Sequence, residues 1–226
     1  MPVCAPYYKK ETGEVINTLI IQKIIVGTLE NNCYLIGDEV SREIMVIDPG
    51  DEPDRILDLI EKDHYKVKYI VFTHAHFDHV AAVAEIKEAT GAQIVLHRDD
   101  LELYDNAQTQ ARMWGFEIDP LPKPDMLVSE GDEVEVGALR FQVLHTPGHS
   151  RGGICLFGEG VVVTGDTLFA GSVGRTDLHG GNIGELKQSF SRLMQLQDTT
   201  RVLPGHGPES TIGKEKADNF FSSEAG

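Results

Sequence analysis

Cysteine is scarce in this chain of 226 residues, which contains only Cys4, Cys33 and Cys155. Three thiols far apart in the sequence provide no disulfide framework, so we expect reduced thiols, some of them buried as small apolar residues. Residues 1–18 contain no apolar run of the kind that a secretory signal peptide carries. These absences argue against a disulfide-stabilised secreted protein, and we expect a cytoplasmic one.

Long hydrophobic runs and basic residues are also few. The most apolar stretch, residues 19–26, contains Gln22 and Lys23 and is far shorter than the ~20 residues that cross a bilayer. Lysine and arginine total 20 against 36 aspartates and glutamates, a formal net charge of −16. Such a field repels phosphate groups, which predicts that the protein binds neither nucleic acid nor a membrane. A small anionic substrate remains compatible, because one basic residue can dominate a pocket.

The remaining composition, 41% hydrophobic and 25% charged residues, is that of a globular protein able to bury a core. The length and the lack of a linker predict one domain over residues 1–226, with a core from about 18 to 221.

Strand and helix patterns alternate along the chain, which predicts an α/β protein. Strands are expected at 18–26, 32–36, 43–47, 67–72, 93–96, 133–136, 139–144, 153–157, 161–164 and 201–203. Helices are expected at 53–63, 80–90, 99–114, 183–196 and 213–221, and a proline-rich loop at 118–126. This pattern fits two face-to-face sheets with helices outside, or a single doubly wound sheet.

Histidine and aspartate cluster directly after one predicted strand. Residues 73–79 read Thr-His-Ala-His-Phe-Asp-His. In an extended segment His74 and His76 point the same way, toward one metal, whereas Asp78 and His79 lie where a helix begins and can face a second metal. Imidazole and carboxylate groups together suit zinc, manganese or iron. The segment therefore predicts a metal site, supported by three further residues on loops after apolar strands: His149, Asp166 and His206.

The ordered set of His-x-His-x-Asp-His, Thr-Pro-Gly-His, Gly-Asp and Gly-His resembles the metallo-β-lactamase superfamily, over about residues 18–221. The resemblance implies a four-layer αββα sandwich of two mixed β-sheets, with the site at one edge of the paired sheets. It also implies two divalent metal ions, with zinc expected and iron or manganese as alternatives. One metal would be held by His74, His76 and His149, the other by Asp78, His79 and His206, with Asp166 bridging them.

Two further segments resemble the short glyoxalase II-like hydrolases: Gly-Asp-Thr-Leu-Phe at 165–169 followed by Gly-Ser-Val-Gly-Arg-Thr-Asp, and Gly-His-Gly-Pro at 205–208. This resemblance implies a thioesterase that hydrolyses hydroxyacyl-glutathione or a similar anionic thioester with a hydroxide shared by two metals. Asp78 would also orient that hydroxide or take its proton, and Arg175 would grip the substrate carboxylate. Asp177 departs from the pattern, since it stands where full glyoxalase II tends to have an aromatic glutathione contact.

Other interpretations remain open at this point. A persulfide dioxygenase, which holds one iron by two histidines and a carboxylate, shares the fold and the Gly-Arg-Thr-Asp stretch. A β-lactamase is less favoured, because the Gly-Asp-Thr-Leu-Phe and Gly-Arg features point elsewhere. A non-catalytic member is less favoured, because all seven ligand positions are filled. Asp48 either orients a ligand histidine or is an ordinary turn residue. His145 is expected to be packed, and His179 to be a solvated loop residue.

Overall fold

The computed structural model describes residues 19–223. It contains two six-stranded mixed sheets and a short hairpin. The first sheet is formed, in spatial order, by β1 (Leu19–Val26), β2 (Asn31–Asp38), β3 (Glu43–Ile47), β4 (Lys66–Val71), β5 (Gln93–His97) and β6 (Met126–Val128). The later strands are β7 (Glu133–Val136), β8 (Leu139–His145), β9 (Ile154–Gly158), β10 (Val161–Gly165), β11 (Leu168–Phe169), β12 (Ser172–Val173), β13 (Arg201–Pro204) and β14 (Ser210–Thr211).

Strand direction determines which loops meet. In the first sheet β3, β4, β5 and β6 are parallel, so β3, β4 and β5 have their carboxyl ends at one edge. The second sheet runs β14-β13-β10-β9-β8-β7, in which β9 is antiparallel to both β8 and β10, and β10 is parallel to β13. The carboxyl ends of β8, β10 and β13 therefore also share an edge. The predicted site residues follow these strands.

Alternation along the strands builds two apolar layers in each sheet. In β2, Cys33 and Leu35 pack in a cluster with the helices, whereas Tyr34 and Ile36 pack against the second sheet. This is the two-residue period of a strand buried on both faces. The sheets therefore meet face to face, with residues such as Phe141 from the second sheet filling the layer between them.

Helices cover the outer face of each sheet, which confirms the four-layer αββα sandwich. The first sheet is covered by α1 (Pro53–Lys62), α2 (Phe77–Val80), α3 (Val83–Thr90), α4 (Leu101–Asp105) and α5 (Ala107–Met113). The second is covered by α6 (Ile183–Leu193) and α7 (Ile212–Asp218). Within residues 19–223, none of the helices has the length and apolar character needed to span a bilayer.

Two predicted helices are divided in the structure. The helix expected at 80–90 is α2 followed by α3, because the chain turns at Ala82, whose N–H donates to Pro49 O rather than continuing a helix. The helix expected at 99–114 is a 3₁₀ turn, Arg98–Asp100, followed by α4 and α5, which meet at Asn106. Strands β6, β11, β12 and β14 were not predicted, because two or three residues are too few to show a period.

The cysteines in the described part of the chain behave as expected. Cys33 and Cys155 are free and buried. Burial raises the pKa of the Cys155 thiol to about 12, so it carries no charge at neutral pH. Cys4 and Thr18 lie outside the described residues, so the structure does not test the predictions made for them.

Candidate metal centre

The segment after β4 places four polar side chains at one end of the first sheet. The chain bends at Thr73 and His74 rather than staying extended, His76 is extended, and α2 begins at Phe77, so Asp78 and His79 lie in the first turn of that helix. His74, His76 and His79 are almost completely buried. Strand, turn and helix therefore aim four potential ligands at one place from a single short segment.

Three histidines form the first group of potential ligands. His76 Nδ1 lies 2.8 Å from His149 Nε2, and the ring centroid of His74 is 4.8 Å from each of the other two rings. His149 comes from the loop after β8 in the second sheet. The ligand atoms of the three residues lie within 4.8 Å of one another, which is close enough for one ion to be held by all three.

Asp78, His79 and His206 form the second group, and Asp166 lies between the two groups. His206 Nε2 is 3.4 Å from Asp78 Oδ2, and His79 Nε2 is 3.7 Å from the same oxygen. Asp166 Oδ1 is 3.5 Å from His79 Nε2, and its Oδ2 is 3.6 Å from His149 Nε2. Its carboxylate thus contacts a member of each group, as a bridging ligand would.

Hydrogen bonds to ring nitrogens orient three of the histidines. Nδ1–H of His74 donates to Thr73 Oγ1 at 3.1 Å, and that of His79 to Asp48 Oδ2 at 3.1 Å. Nδ1–H of His149 donates to the carbonyl of Arg175 at 2.8 Å. In its neutral form, each of these rings is therefore in the tautomer that leaves Nε2 without a proton, which is the form that binds a metal.

The unpaired atoms of the cluster test whether these residues fit a metal. Several buried side-chain atoms of the described residues have no hydrogen-bond partner, and three of them belong to this cluster: His74 Nε2, His79 Nε2 and Asp166 Oδ1. Buried polar atoms are nearly always paired. Here three such atoms belong to residues of one cluster of imidazoles and carboxylates, a donor set that suits zinc, iron or manganese. The residues present therefore fit bound divalent metal.

The electrostatics of the two groups differ. Burial, reinforced by neighbouring imidazoles, holds the pKa of His74 well below its usual range and lowers that of His76 to about 3. Burial alone would lower the pKa of His79 too, but Asp78 and Asp166 outweigh it and raise that pKa to about 10. His74 and His76 of the first group are therefore neutral at pH 7, whereas His79 of the second group lies in the negative field of two carboxylates, which attracts a cation.

Asp48 orients His79, which decides between the two interpretations of this residue. It follows β3 with a positive φ of 51°. Its Oδ1 accepts a hydrogen bond from Thr73 N at 2.7 Å, and its Oδ2 accepts from Thr73 Oγ1 at 2.6 Å as well as from His79. The side chain thus connects two site loops and fixes the direction of a ligand ring.

Asp100 performs a related task that the sequence analysis missed. This buried carboxylate accepts hydrogen bonds from Ala75 N at 3.0 Å, Ser150 Oγ at 2.8 Å and Gly152 N at 2.5 Å. It therefore joins the segment that carries His74 and His76 to the loop that carries His149. The available signal was a polar residue shortly after an apolar strand, the same signal that pointed to Asp48.

The His206 loop is held from the start of β2. Asn32 Nδ2 donates to the carbonyls of Pro204 at 2.8 Å and Gly207 at 2.9 Å, and its backbone N–H donates to Gly205 O at 2.7 Å. Gly205 is required by space, because a Cβ there would collide with Asp166 Oδ1. This role of Asn32 was also missed, since it joins residues far apart in the sequence.

A cleft of about 350 Å³ opens beside the ligands. Asp78, Asp166 and His206 line it, together with apolar side chains: Leu29, Phe77, Leu103, Met113, Trp114 and Leu178. His179 is 68% exposed but also lines the cleft. His145 does not line the cleft. Its ring stacks on the ring of His97, with 4.2 Å between the two centroids, as expected of a packed residue.

Arg175 also lines the cleft, but its guanidinium is engaged. Nε donates to Asp177 Oδ1 at 2.7 Å, and the NH2 nitrogen donates to Asp177 Oδ2 at 2.6 Å. The guanidinium carbon lies 5.8 Å from the ring centroid of Trp114. The residue predicted to bind substrate is therefore at the site, paired with an acidic residue of its own chain.

Comparison with known proteins agrees with this geometry. Residues 26–206 match the family described as the metallo-beta-lactamase superfamily. The chain belongs to the metallo-β-lactamase superfamily. Members of this superfamily typically bind two divalent metals, and the chain is accordingly a metal-dependent hydrolase. One relative is the hydroxyacylglutathione hydrolase GloC of Haemophilus influenzae, 34% identical over 206 residues that cover 89% of this chain and 97% of the relative.

Three solved structures share the fold closely. The BLEG-1 B3 metallo-beta-lactamase has a TM-score of 0.84 and 32% identity over 89% of this chain and 99% of its own. TTHA1623 in a di-iron-bound form has a TM-score of 0.83 and 42% identity, covering 88% and 99%. ETHE1 from Myxococcus xanthus has a TM-score of 0.75 and 32% identity, covering 89% and 83%. The fold and the family are therefore shown. The three neighbours differ in name, and one of them is described with two irons bound.

Proposed function

We propose that this protein is a glyoxalase II-like thioesterase with two divalent metals at the site. The observation that carries the proposal is Asp166, whose two carboxylate oxygens contact a member of each three-ligand group. The relationship to GloC supports a thioester as the substrate. Zinc is the metal expected from the ligand types, and the di-iron form of TTHA1623 makes iron a direct competitor.

The residues divide the work of hydrolysis between them. Two bound divalent metals would polarise the thioester carbonyl and lower the pKa of water. Asp78 is 18% exposed and lies at the floor of the cleft, so besides binding a metal it can accept a proton there. His79 and His206 outweigh the effect of burial and hold the pKa of Asp78 below its usual range, which keeps it ionised, as a metal ligand must be.

Arg175 is the proposed substrate contact. Its carbonyl oxygen holds His149, so the residue is anchored next to the ligands while its side chain lines the cleft. The apolar walls of the cleft would exclude water from the acyl or thiol group. How strongly Arg175 attracts a carboxylate depends on Asp177, which already occupies two of its donors.

Metal content and thioester hydrolysis test the proposal together. Protein purified without added metal is analysed for elements, then loaded and assayed with a thioester and, as a control, with the corresponding oxygen ester. We expect close to two first-row transition metals per chain and preferential release of the thiol. Saturation at one metal, with His79 and His206 uncoordinated, would exclude the dinuclear proposal.

The similarity to ETHE1 favours one alternative, an iron persulfide dioxygenase. That enzyme would need one iron held by two histidines and a carboxylate, so the other proposed ligands would bind no metal. Oxygen consumption by the iron-loaded protein with glutathione persulfide distinguishes it from the thioesterase. A β-lactam included in the same assays tests the activity in the name of BLEG-1.

A further inference from the structure

Arg175 is fixed at both ends. Its carbonyl accepts the hydrogen bond from His149 Nδ1, so the backbone cannot move without disturbing a metal ligand. Its guanidinium lies between the ring of Trp114 and the carboxylate of Asp177. A planar guanidinium is suited to this combination of a stacked ring and a two-pronged carboxylate contact. The arrangement therefore holds a positive charge at the wall of the cleft, beside a negative one.

The two charges cancel at neutral pH. Two hydrogen bonds join the guanidinium of Arg175 to the carboxylate of Asp177, and a guanidinium paired in this way with a carboxylate is a pair of opposite unit charges. The oxygens and nitrogens are 2.6–2.7 Å apart, so a substrate group in the cleft experiences a dipole rather than a cation. A substrate carboxylate approaching the free edge of the guanidinium would also approach the carboxylate of Asp177.

The rest of the cleft wall offers little to an anion. Arg175 is the only lysine or arginine among the described residues that line it. Leu103, Met113, Trp114 and Leu178 provide an apolar surface. His179 faces Glu102, with 3.7 Å between Nε2 and Oε1, so an acidic group lies on that side too. The wall is therefore suited to an apolar, uncharged arm of a substrate.

We propose that Asp177 sets the charge preference of the cleft: by neutralising Arg175, it allows uncharged, apolar thioesters to be used about as well as carboxylate-bearing ones. This inference rests on the proposed thioesterase activity. It assigns Asp177 the role of a specificity-determining residue, which acts through Arg175. It also predicts that the preference for anions expected from Arg175 alone is suppressed in the native protein.

Four proteins test the proposal: the native enzyme, Asp177→Asn, Arg175→Ala and the double variant. Each is metal-loaded and assayed with two thioesters of equal length, one ending in a carboxylate and one in the matching carboxamide. We expect the ratio of kcat/KM for the anionic over the neutral substrate to be near one in the native enzyme. Asp177→Asn should raise this ratio about two- to fivefold through KM, the range for an exposed ion pair. Arg175→Ala should lower it by a similar factor, because Asp177 is then unopposed, and the double variant should return it toward one.

Glu102→Gln is the matched control, since it removes one exposed negative charge near the cleft without touching Arg175. A twofold or larger rise in the ratio for this variant would mean that any nearby charge acts in the same way, and would overturn a specific role for Asp177. The same holds if Asp177→Asn lowers the ratio or changes both substrates equally. In that case Asp177 positions the guanidinium or is only structural.

Binding provides a readout that does not need turnover. Trp114 is the single tryptophan of the chain and lies beside Arg175, so its fluorescence reports directly on the cleft. The two substrates are replaced by thioether analogues that cannot be hydrolysed, and the same four proteins are titrated. If no thioester is hydrolysed but the thioethers bind with the expected ratios, the proposed function fails and the role of Asp177 stands. If neither analogue changes the fluorescence or the ratios stay constant, the inference about Asp177 is wrong.

Discussion

The two halves of the sandwich supply their ligands differently. Residues 19–128 provide four of the proposed metal ligands from one continuous segment, 74–79, whose positions follow from a strand that leads into a helix. Residues 129–223 provide His149, Asp166 and His206 from three separate loops, which meet only because β8, β10 and β13 run in the same direction. Side chains of the first half secure two of these loops: Asp100 holds the loop of His149, and Asn32 holds that of His206. A local set of ligands is organised by backbone geometry, whereas a dispersed set depends on buried polar contacts between the sheets.

Asp166→Ala should have the largest effect, because it removes the carboxylate that contacts both groups of proposed ligands. Without Asp166, two bound cations would share no carboxylate. We expect loss of at least one metal and a fall in kcat/KM of at least ~100-fold. That factor is the upper end of the range for removing a residue that only hydrogen-bonds to a metal ligand, and Asp166 is itself a proposed ligand. Elemental analysis and thioester assays measure both, with circular dichroism to show that the fold persists. Near-native turnover with two metals bound would contradict the assignment.

Asp48→Asn tests the local set. Asparagine tolerates the positive φ of 51° at this position, so the backbone is not strained. The amide has one acceptor oxygen in place of the two carboxylate oxygens that accept hydrogen bonds from Thr73 and His79. The imidazole of His79 therefore loses the contact that fixes its direction. We expect a loss of about 10- to 100-fold in metal affinity or activity, measured by metal titration and kcat/KM. Unchanged values would return Asp48 to the role of a turn residue.

Asp100→Asn tests the connection between the halves. The substitution leaves buried donors of Ala75, Ser150 or Gly152 without a full partner, at a cost of ~1–3 kcal/mol. For a chain of this size, Tm should fall by about 2–4 °C for each kcal/mol. Because no ligand is touched directly, we expect a smaller loss of activity than for Asp48→Asn. Thermal unfolding is measured with metal and after chelation, and a Tm unchanged in both states would show that the connection contributes nothing.

Glu215→Gln should have the smallest effect on the site and serves as a buried carboxylate outside it. Glu215 accepts hydrogen bonds from Gly171 N, Ser210 Oγ and Asn219 Nδ2, all within the second half. We expect a lower Tm, from the same cost of ~1–3 kcal/mol for an unmatched buried donor, but two metals per chain and little change in kcat/KM. Loss of metal from this variant would mean that any weakening of the second half disturbs the ligands, and the special role of Asp100 would lose its support.

The sequence predicted the features that depend on neighbouring residues. The apolar run of β3, the strand character of β2 and the amphipathic pattern of α1 were visible in the sequence. The motif at 73–79 was visible as an excess of histidine after an apolar strand. The helical pattern did not predict the break between α2 and α3, where the N–H of Ala82 donates to the carbonyl of Pro49 in an earlier loop. Nor did the sequence predict β6, which is too short to show a period and exists because β5 provides an edge to pair with.

What the sequence alone determined is the chemistry available at the site: seven imidazole and carboxylate side chains after apolar strands, in an acidic chain with few other cations. Tertiary structure decided how those groups are used. The contacts made by Asp100 and by Asn32 join residues that are far apart in the sequence. The pairing of Arg175 with Asp177, two residues away, depends on the direction in which the folded loop points both side chains. Composition and spacing specify which groups are present. Hydrogen-bond geometry, effective only over about 3 Å, requires the final positions of strands that lie far apart in the chain.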